Sequence, residues 1–297
     1  MRFLYLFLFL IFSLQIQADD ADQTKKGIIG KTTSKVSSFL ESIIGGDGQG
    51  ETQVKIATGE DYHPEFSIAT VRPLSPHPGV DAWFVQLQLN DHKVRGKARI
   101  STNVGLGYRQ LSDDKRSLTG ANVFIDYDAE GNARSSIGLE LKSSSFEVLG
   151  NYYRALSGSR GVGDYTERSL DGIELSLVGQ VPYLPWANVV ANHYEWKKNK
   201  NSKDSKGDKV SLELTLTPSL VVDLGVDDNN IDGTNSFANF MFVFPPREKV
   251  AASTNFVADT AFSDGDMTTE LLSLVRRTNK QAIESEGTGV VIGRLSE

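Results

Sequence analysis

From Glu51 to Phe244, apolar and polar residues alternate with a period of two. Trp83, Val85, Leu87 and Leu89 alternate with Phe84, Gln86, Gln88 and Asn90. Ile137, Leu139 and Leu141 alternate with Gly138, Glu140 and Lys142, and Val210, Leu212, Leu214 and Leu216 with Ser211, Glu213, Thr215 and Thr217. Successive side chains of a strand point to opposite faces, so each run carries one apolar face. With its ends included each run is about nine to eleven residues long, the length of a tilted membrane-spanning strand. The runs and the turns between them predict twelve strands, near 52–59, 65–72, 82–90, 97–109, 117–128, 134–142, 145–157, 171–181, 186–197, 208–217, 220–227 and 235–244. An even number returns the chain to the side on which it started.

The last run ends on Phe244, and Ala238, Phe240, Phe242 and Phe244 share one face. An uncharged, aromatic-ended face of that length suits contact with lipid and looks like the assembly signal on the last strand of bacterial outer-membrane barrels. Pro245-Pro246 then stops the strand, because neither residue donates to a ladder. Connections alternate in character. Pro73 to Gly79, Ser112 to Arg116, Ser143 to Ser145, Pro182 to Pro185 and Pro218-Ser219 are short or proline-bearing. Ser157 to Leu170, Asn199 to Asp208 and Asp227 to Thr234 are longer and more polar. Short periplasmic turns opposite longer external loops are the usual outer-membrane arrangement. A secreted sandwich or lipocalin-like barrel also alternates. Regular strand length, alternating loop size and the phenylalanine-ended last strand favour an all-β, transmembrane, antiparallel up-and-down β-barrel of about twelve strands with short flanking helices. An open sheet is excluded, since its edge would leave polar backbone in hydrocarbon.

The flanks sharpen this picture. Arg2, the apolar run Phe3 to Ile16 and the change at Ala18 to Asp19-Asp20 form the pattern of a secretory signal peptide at residues 1–18, with cleavage expected after Ala18. The run is short for a membrane anchor, and no later segment approaches ~20 apolar residues. In 19–50, Ile28-Ile29, Val36, Phe39-Leu40 and Ile43-Ile44 recur at helical spacing, followed by a glycine-rich linker from Gly45 to Gly50. This is either a plain amphipathic periplasmic helix or a plug or partner-docking one. The barrel is expected over 51–246 and a tail over 247–297. In the tail, Leu271, Leu272, Leu274 and Val275 predict a helix from Met267 to Lys280, with Asp266 as N-cap.

Composition removes other classes. The chain has 297 residues, 27 glycines, no cysteine and a net charge of −7. Disulfides and thiolate chemistry are absent, and the acidic balance disfavours nucleic acid. His63, His77, His92 and His193 show no paired ligand spacing and read as surface residues, His63 and His92 in external loops. Gly45-Gly46-Asp47-Gly48 lacks the context of a phosphate loop, Gly158-Ser159-Arg160-Gly161 lacks the nucleophile-elbow spacing, and Asp227 to Gly233 lacks the distal glutamate of a calcium loop. No catalytic residue, cofactor or metal is expected. The basic run Lys197 to Lys209 is a solvated loop or a contact for lipopolysaccharide phosphates.

Specific residues add to the periodicity. Gly120 to Asp128, Arg134 to Glu140, Asn151-Tyr152-Tyr153-Arg154-Ala155-Leu156-Ser157-Gly158, Asp164-Tyr165-Thr166-Glu167-Arg168, Asp171 to Glu174 and Val181 to Pro185 form an ordered series. The series resembles the translocation domain of the intimin/invasin family, the inverse autotransporters, over about residues 51–246. Lys35 to Leu40 resembles the family's periplasmic helix, and Leu274 to Lys280 the short segment after the barrel. The resemblance implies a twelve-stranded barrel of type V secretion, whose chain turns back after the last strand and threads the pore to the cell surface. It implies as partners the barrel-assembly machinery, periplasmic chaperones, outer-membrane lipid and lipopolysaccharide, and a monomeric barrel. The pore wall must then be polar, and Asp126, Glu140, Lys142, Glu174, Glu213 and Asp223 form the inward set, by default a solvated face with ordinary ion pairs. The sequence given stops about fifty residues after Phe244, where family members continue into long adhesins. The expectation is a minimal translocator that displays or exports its own C-terminal segment. The alternatives are a porin-like or structural barrel plugged by its tail, and a translocator for a separately encoded passenger.

Overall fold

The computed structural model describes residues 50–59, 62–74, 79–94, 97–198, 204–285 and 289–292. The expected signal peptide, the helix and linker of 19–50 and His77 lie outside the described residues. Twelve strands close a barrel: β1 (Glu51–Gly59), β2 (Tyr62–Pro73), β3 (Asp81–Val94), β4 (Lys97–Leu111), β5 (Ser117–Asp128), β6 (Ala133–Ser143), β7 (Phe146–Ala155), β10 (Asp171–Val181), β11 (Leu184–Lys197), β12 (Ser205–Thr217), β13 (Leu220–Asn229) and β14 (Gly233–Phe244). Each pairs antiparallel with its neighbours, and β1 closes on β14 with Thr52 opposite Phe244. Closure leaves no open edge, as a sheet in hydrocarbon requires.

Alternation settles which side chains face out. On β5, Val123, Ile125 and Tyr127 are exposed outward while Asn122, Phe124 and Asp126 are buried inward. On β14, Phe240, Phe242 and Phe244 face out and Asn239, Met241 and Val243 face in. The outer surface is apolar and the interior polar, the reverse of a soluble globule and the pattern of a membrane barrel.

Several strands run past their sequence-predicted ends. β3 continues to Val94, which carries His92 out of the expected external loop and onto the lumen wall, where it is buried. β2 begins at Tyr62, so His63 is a strand residue. β12, β13 and β14 take up residues expected in the loops 199–208 and 227–234. Cross-strand pairing holds polar residues in extended backbone beyond the membrane depth, where apolar alternation no longer marks them. The expected long loop after β7 holds two further strands, β8 (Arg160–Val162) and β9 (Tyr165–Ser169). Gly163 has φ +60°, the positive value that the first central position of a type II′ hairpin turn needs.

The expected helix over Met267–Lys280 does not form. A single 3-10 turn, Thr268–Leu272, is followed by irregular chain that bends at Arg277 and Lys280. Asp266 does accept the Thr268 N–H, at 2.7 Å, as well as the Thr268 hydroxyl, and the hydroxyl first, then the N–H, hold its carboxyl below the usual range. Tertiary context overrides the local pattern here. Leu271 packs with Ala82, Leu111, Leu118 and Met267, and Val275 with Val71, Phe84 and Phe124. The polar residues beyond meet partners on the barrel wall that replace a helix's own hydrogen bonds. At the far end, β15 (Ala282–Ser285) pairs with β9 and with β16 (Gly289–Ile292), giving a four-stranded sheet in the order β16-β15-β9-β8.

Candidate functional site: the lumen and the segment that crosses it

Both ends of the barrel chain, Glu51 and Phe244, lie at the end where the short turns are. The tail starts there. Arg247 forms a bidentate pair with Glu51 at 2.8 and 2.9 Å, and its N–H donates to Pro218 O. Lys249 pairs with Glu270 at 2.7 Å. Burial would lower the Lys249 pKa, but Glu270 outweighs it and the ammonium is held above its ordinary value. The chain then follows the rim. Ala252 N donates to Thr215 O, Ala258 N to Tyr183 O, Ser144 Oγ to Ser263 O and Met267 N to Lys115 O. It therefore visits the β12–β13, β10–β11, β6–β7 and β4–β5 turns in order, and enters the lumen beside β4 and β5.

Inside, the backbone is satisfied by wall side chains. Arg109 donates to Glu270 O, Leu271 O and Ser273 O at 2.5–3.1 Å. Gln86 Oε1 accepts from Val275 N, and Asn151 donates to Arg276 O. Tyr153 Oη and Glu174 both accept from Thr278 N, while Arg134 donates to Thr278 O and Asn103 to Asn279 O. Buried backbone polar groups must find partners, and the polar wall supplies them at fixed positions. Leu170 N then donates to Ala282 O, and β15 begins at the loop end. The nine steps from Ser273 to Ala282 span at most roughly 30 Å, against an apolar band of ~25 Å.

Side chains of the crossing segment carry positive charge into an acidic wall. Arg277 donates twice to Asp126 at 2.7 and 2.9 Å, and Arg134 shares that carboxylate at 2.7 Å; all three are fully buried. The Arg277 guanidinium also lies 4.4 Å above the Phe124 ring. Gly105 makes this stack possible, since a Cβ there would lie 2.2 Å from the Phe124 ring. Arg276 is bidentate to Glu213 at 2.7 Å and reaches Glu147 at 3.1 Å, and Lys280 pairs with Glu65. Of the inward set, Asp126, Glu174 and Glu213 hold the tail directly, and Lys142 reaches Ser273 Oγ at 3.3 Å. Glu140 acts through Arg109, at 2.6 Å, and Asp223 accepts from Asn239. The ion pairs expected of this wall are present, but Asp126, Glu140, Glu174 and Glu213 are buried, so the expected solvated face is corrected for them, and Asp223 is half-buried.

The sequence series from Tyr153 to Glu174 now has physical content. Tyr153 Oη donates to Glu174 at 2.5 Å, Ala155 N donates to Asp171, and Ser157 Oγ accepts from Ala133 N. Glu167, on β9, forms a bidentate pair with Arg99, which also holds Asp128. The β8–β9 hairpin is thereby tied down over the loop end, where β15 joins it. The sequence reading missed Arg99, Arg109 and Arg134 as inward residues, though each continues the inward parity of its strand. His193 is exposed and contacts Asp208 at 2.8 Å, and no metal-holding group of side chains occurs among the described residues.

The fold and its filled lumen define a class, an outer-membrane β-barrel occupied by its own chain. The inverse autotransporter β-domain matches residues 10–279, and the chain belongs to that family, in the bacterial outer membrane. No curated protein matches it in sequence. Among solved structures, one reported under "Unveiling the Mechanism Behind the in-meso Crystallization of Membrane Proteins" shares the fold, with a TM-score of 0.64 at 20% identity over 80% of this chain and 99% of that one. KdgM porin is similar at a TM-score of 0.45 and 8% identity, over 65% of this chain and 98% of that one. An outer membrane channel from Pseudomonas putida F1 is similar at 0.46 and 9%, over 66% of this chain and 94% of that one.

Proposed function

We propose that the barrel serves to carry the C-terminal end of its own chain through the outer membrane and to hold it at the cell surface. The observation that carries this reading is the path of Ser273 to Ala282, which enters at the short-turn end and leaves at the loop end. Short turns face the periplasm in barrels of this kind, so β15 and β16 lie on the external side. On this reading the chain reaches the membrane with a signal peptide cleaved after Ala18. The Phe240, Phe242 and Phe244 face is read by the barrel-assembly machinery, periplasmic chaperones escort the chain, and the barrel works as a monomer without enzymatic chemistry. Lys197 to Lys209 would then meet lipopolysaccharide.

A plugged, porin-like barrel is the second reading, and the half-buried pair of Arg276 and the buried pair of Arg277 favour it to the extent that they fix the tail in place. The two differ in where the end of the chain lies. An epitope after Glu297 is expected to bind antibody and to be cut by added protease on intact cells, as fully as one placed in the loop between Lys198 and Asp204. An epitope that stays shielded at the C-terminus while the loop epitope is reached would rule out display.

A further inference from the structure

Between the last strand and the lumen, Val250 to Phe262 forms a strap along the short-turn rim, and its side chains are unlike those of a solvated connector. Phe256, Val257 and Phe262 are 63%, 61% and 54% exposed. Single exposed apolar residues are ordinary on protein surfaces, but three within seven positions form a patch that asks for a partner. The stretch from Val250 to Asp264 contains no lysine or arginine.

The strap is held at a fixed height. Ala252 N and Ser253 N donate to Thr215 O and Leu216 O, and the β10–β11 turn is bracketed by Ala258 N to Tyr183 O and Tyr183 N to Ala261 O. Tyr183 follows Pro182 in this two-residue turn and has φ +66°, a value that a tyrosine rarely adopts. Trp186 Nε1 donates to Phe256 O at 2.8 Å, and the two rings stack with centroids 5.2 Å apart. The same end of the barrel presents Phe146 and Phe244 outward from its strands and Tyr183 from a turn. Aromatic side chains at the ends of barrel strands occupy the boundary between headgroups and acyl chains.

We propose that this strap is a lipid anchor, with Phe256, Val257 and Phe262 seated at the headgroup–acyl boundary of the inner leaflet and extending the aromatic girdle of the strands. The outward aromatic residues of the same rim, Phe146 and Phe244, and the attachment of the strap at turn height favour lipid over a protein partner. The anchor would hold the start of the tail against the membrane while the rest of the tail enters the pore.

The absence of cysteine allows a direct test. Nitroxide labels at Phe256→Cys, Val257→Cys and Phe262→Cys are read by electron paramagnetic resonance in phosphatidylethanolamine–phosphatidylglycerol vesicles, with the full chain folded. Relaxation by oxygen should exceed relaxation by a water-soluble nickel chelate, as at the outward control Leu139→Cys. A chelate-dominated response at all three sites, like that of the turn control Asp113→Cys, would overturn the proposal. That response in pure lipid, followed by protection on adding barrel-assembly proteins, would assign the patch to protein and equally overturn it. The three sites are read independently, so one that disturbs folding leaves the others to decide.

Discussion

Replacing Asp126 with alanine is expected to destabilise the barrel by about 3–5 kcal/mol, the cost of leaving a buried charge without its partner. Two fully buried guanidiniums, from Arg134 on the wall and Arg277 on the tail, meet at this one carboxylate. Without it they repel each other in an environment of low dielectric. Arg277→Met is expected to cost less, because it leaves the Asp126–Arg134 pair intact and the thioether still covers the Phe124 ring. The checks are the temperature at which the folded band is lost in detergent and the rate at which added protease cuts the tail. Both should shift in the order Asp126→Ala, Arg277→Met, parent. A shift within about 0.5 kcal/mol for Asp126→Ala, the size expected of an exposed pair, would show that the lumen is wet and the tail loosely held.

Removing residues 247–297 is expected to convert an occluded barrel into a conducting one. The deleted segment carries Arg276, Arg277 and Lys280, which neutralise Glu213, Glu147, Asp126 and Glu65 on the wall. Charged rings in a pore set its selectivity, so the opened lumen should prefer cations. Planar-bilayer recordings check both points. The parent should show brief or low-level openings, and the truncated chain steady steps with a reversal potential on the cation side. Equal, steady conductance from both chains would mean that the tail does not fill the pore.

Much of this was legible in the sequence, for identifiable reasons. Strand positions follow from a period of two that the bilayer imposes on every strand, and burial on one face leaves register little freedom. The end at Phe244 was marked by two prolines. The inward carboxylates Asp126, Glu174 and Glu213 follow from parity alone. What parity does not reveal is their partners, which lie up to 151 residues away in sequence. The tail was misread because Leu271, Leu272, Leu274 and Val275 have helical spacing, while in the folded protein they serve two separate clusters on the wall. The run Arg276 to Lys280 carried the warning, since a helix there would have no apolar face. His92 was misplaced because strand β3 continues past its last clear alternation. The β15–β9 pairing had no local signature, being a contact between a loop and a tail.

That pairing also offers the sharpest test of whether the chain crosses its own pore. Leu170 N donates to Ala282 O, so the adjacent pair Ser169 and Ile283 is the close, non-hydrogen-bonded kind, with Cα atoms expected about 4.5 Å apart. That spacing suits a disulfide, and the chain has no other cysteine to compete. In Ser169→Cys/Ile283→Cys, mild oxidation of the folded barrel should link the two positions and give a loop-closed band that reductant releases. If both thiols instead stay free in the folded protein, with position 283 reactive only from the short-turn side, the tail does not cross the lumen.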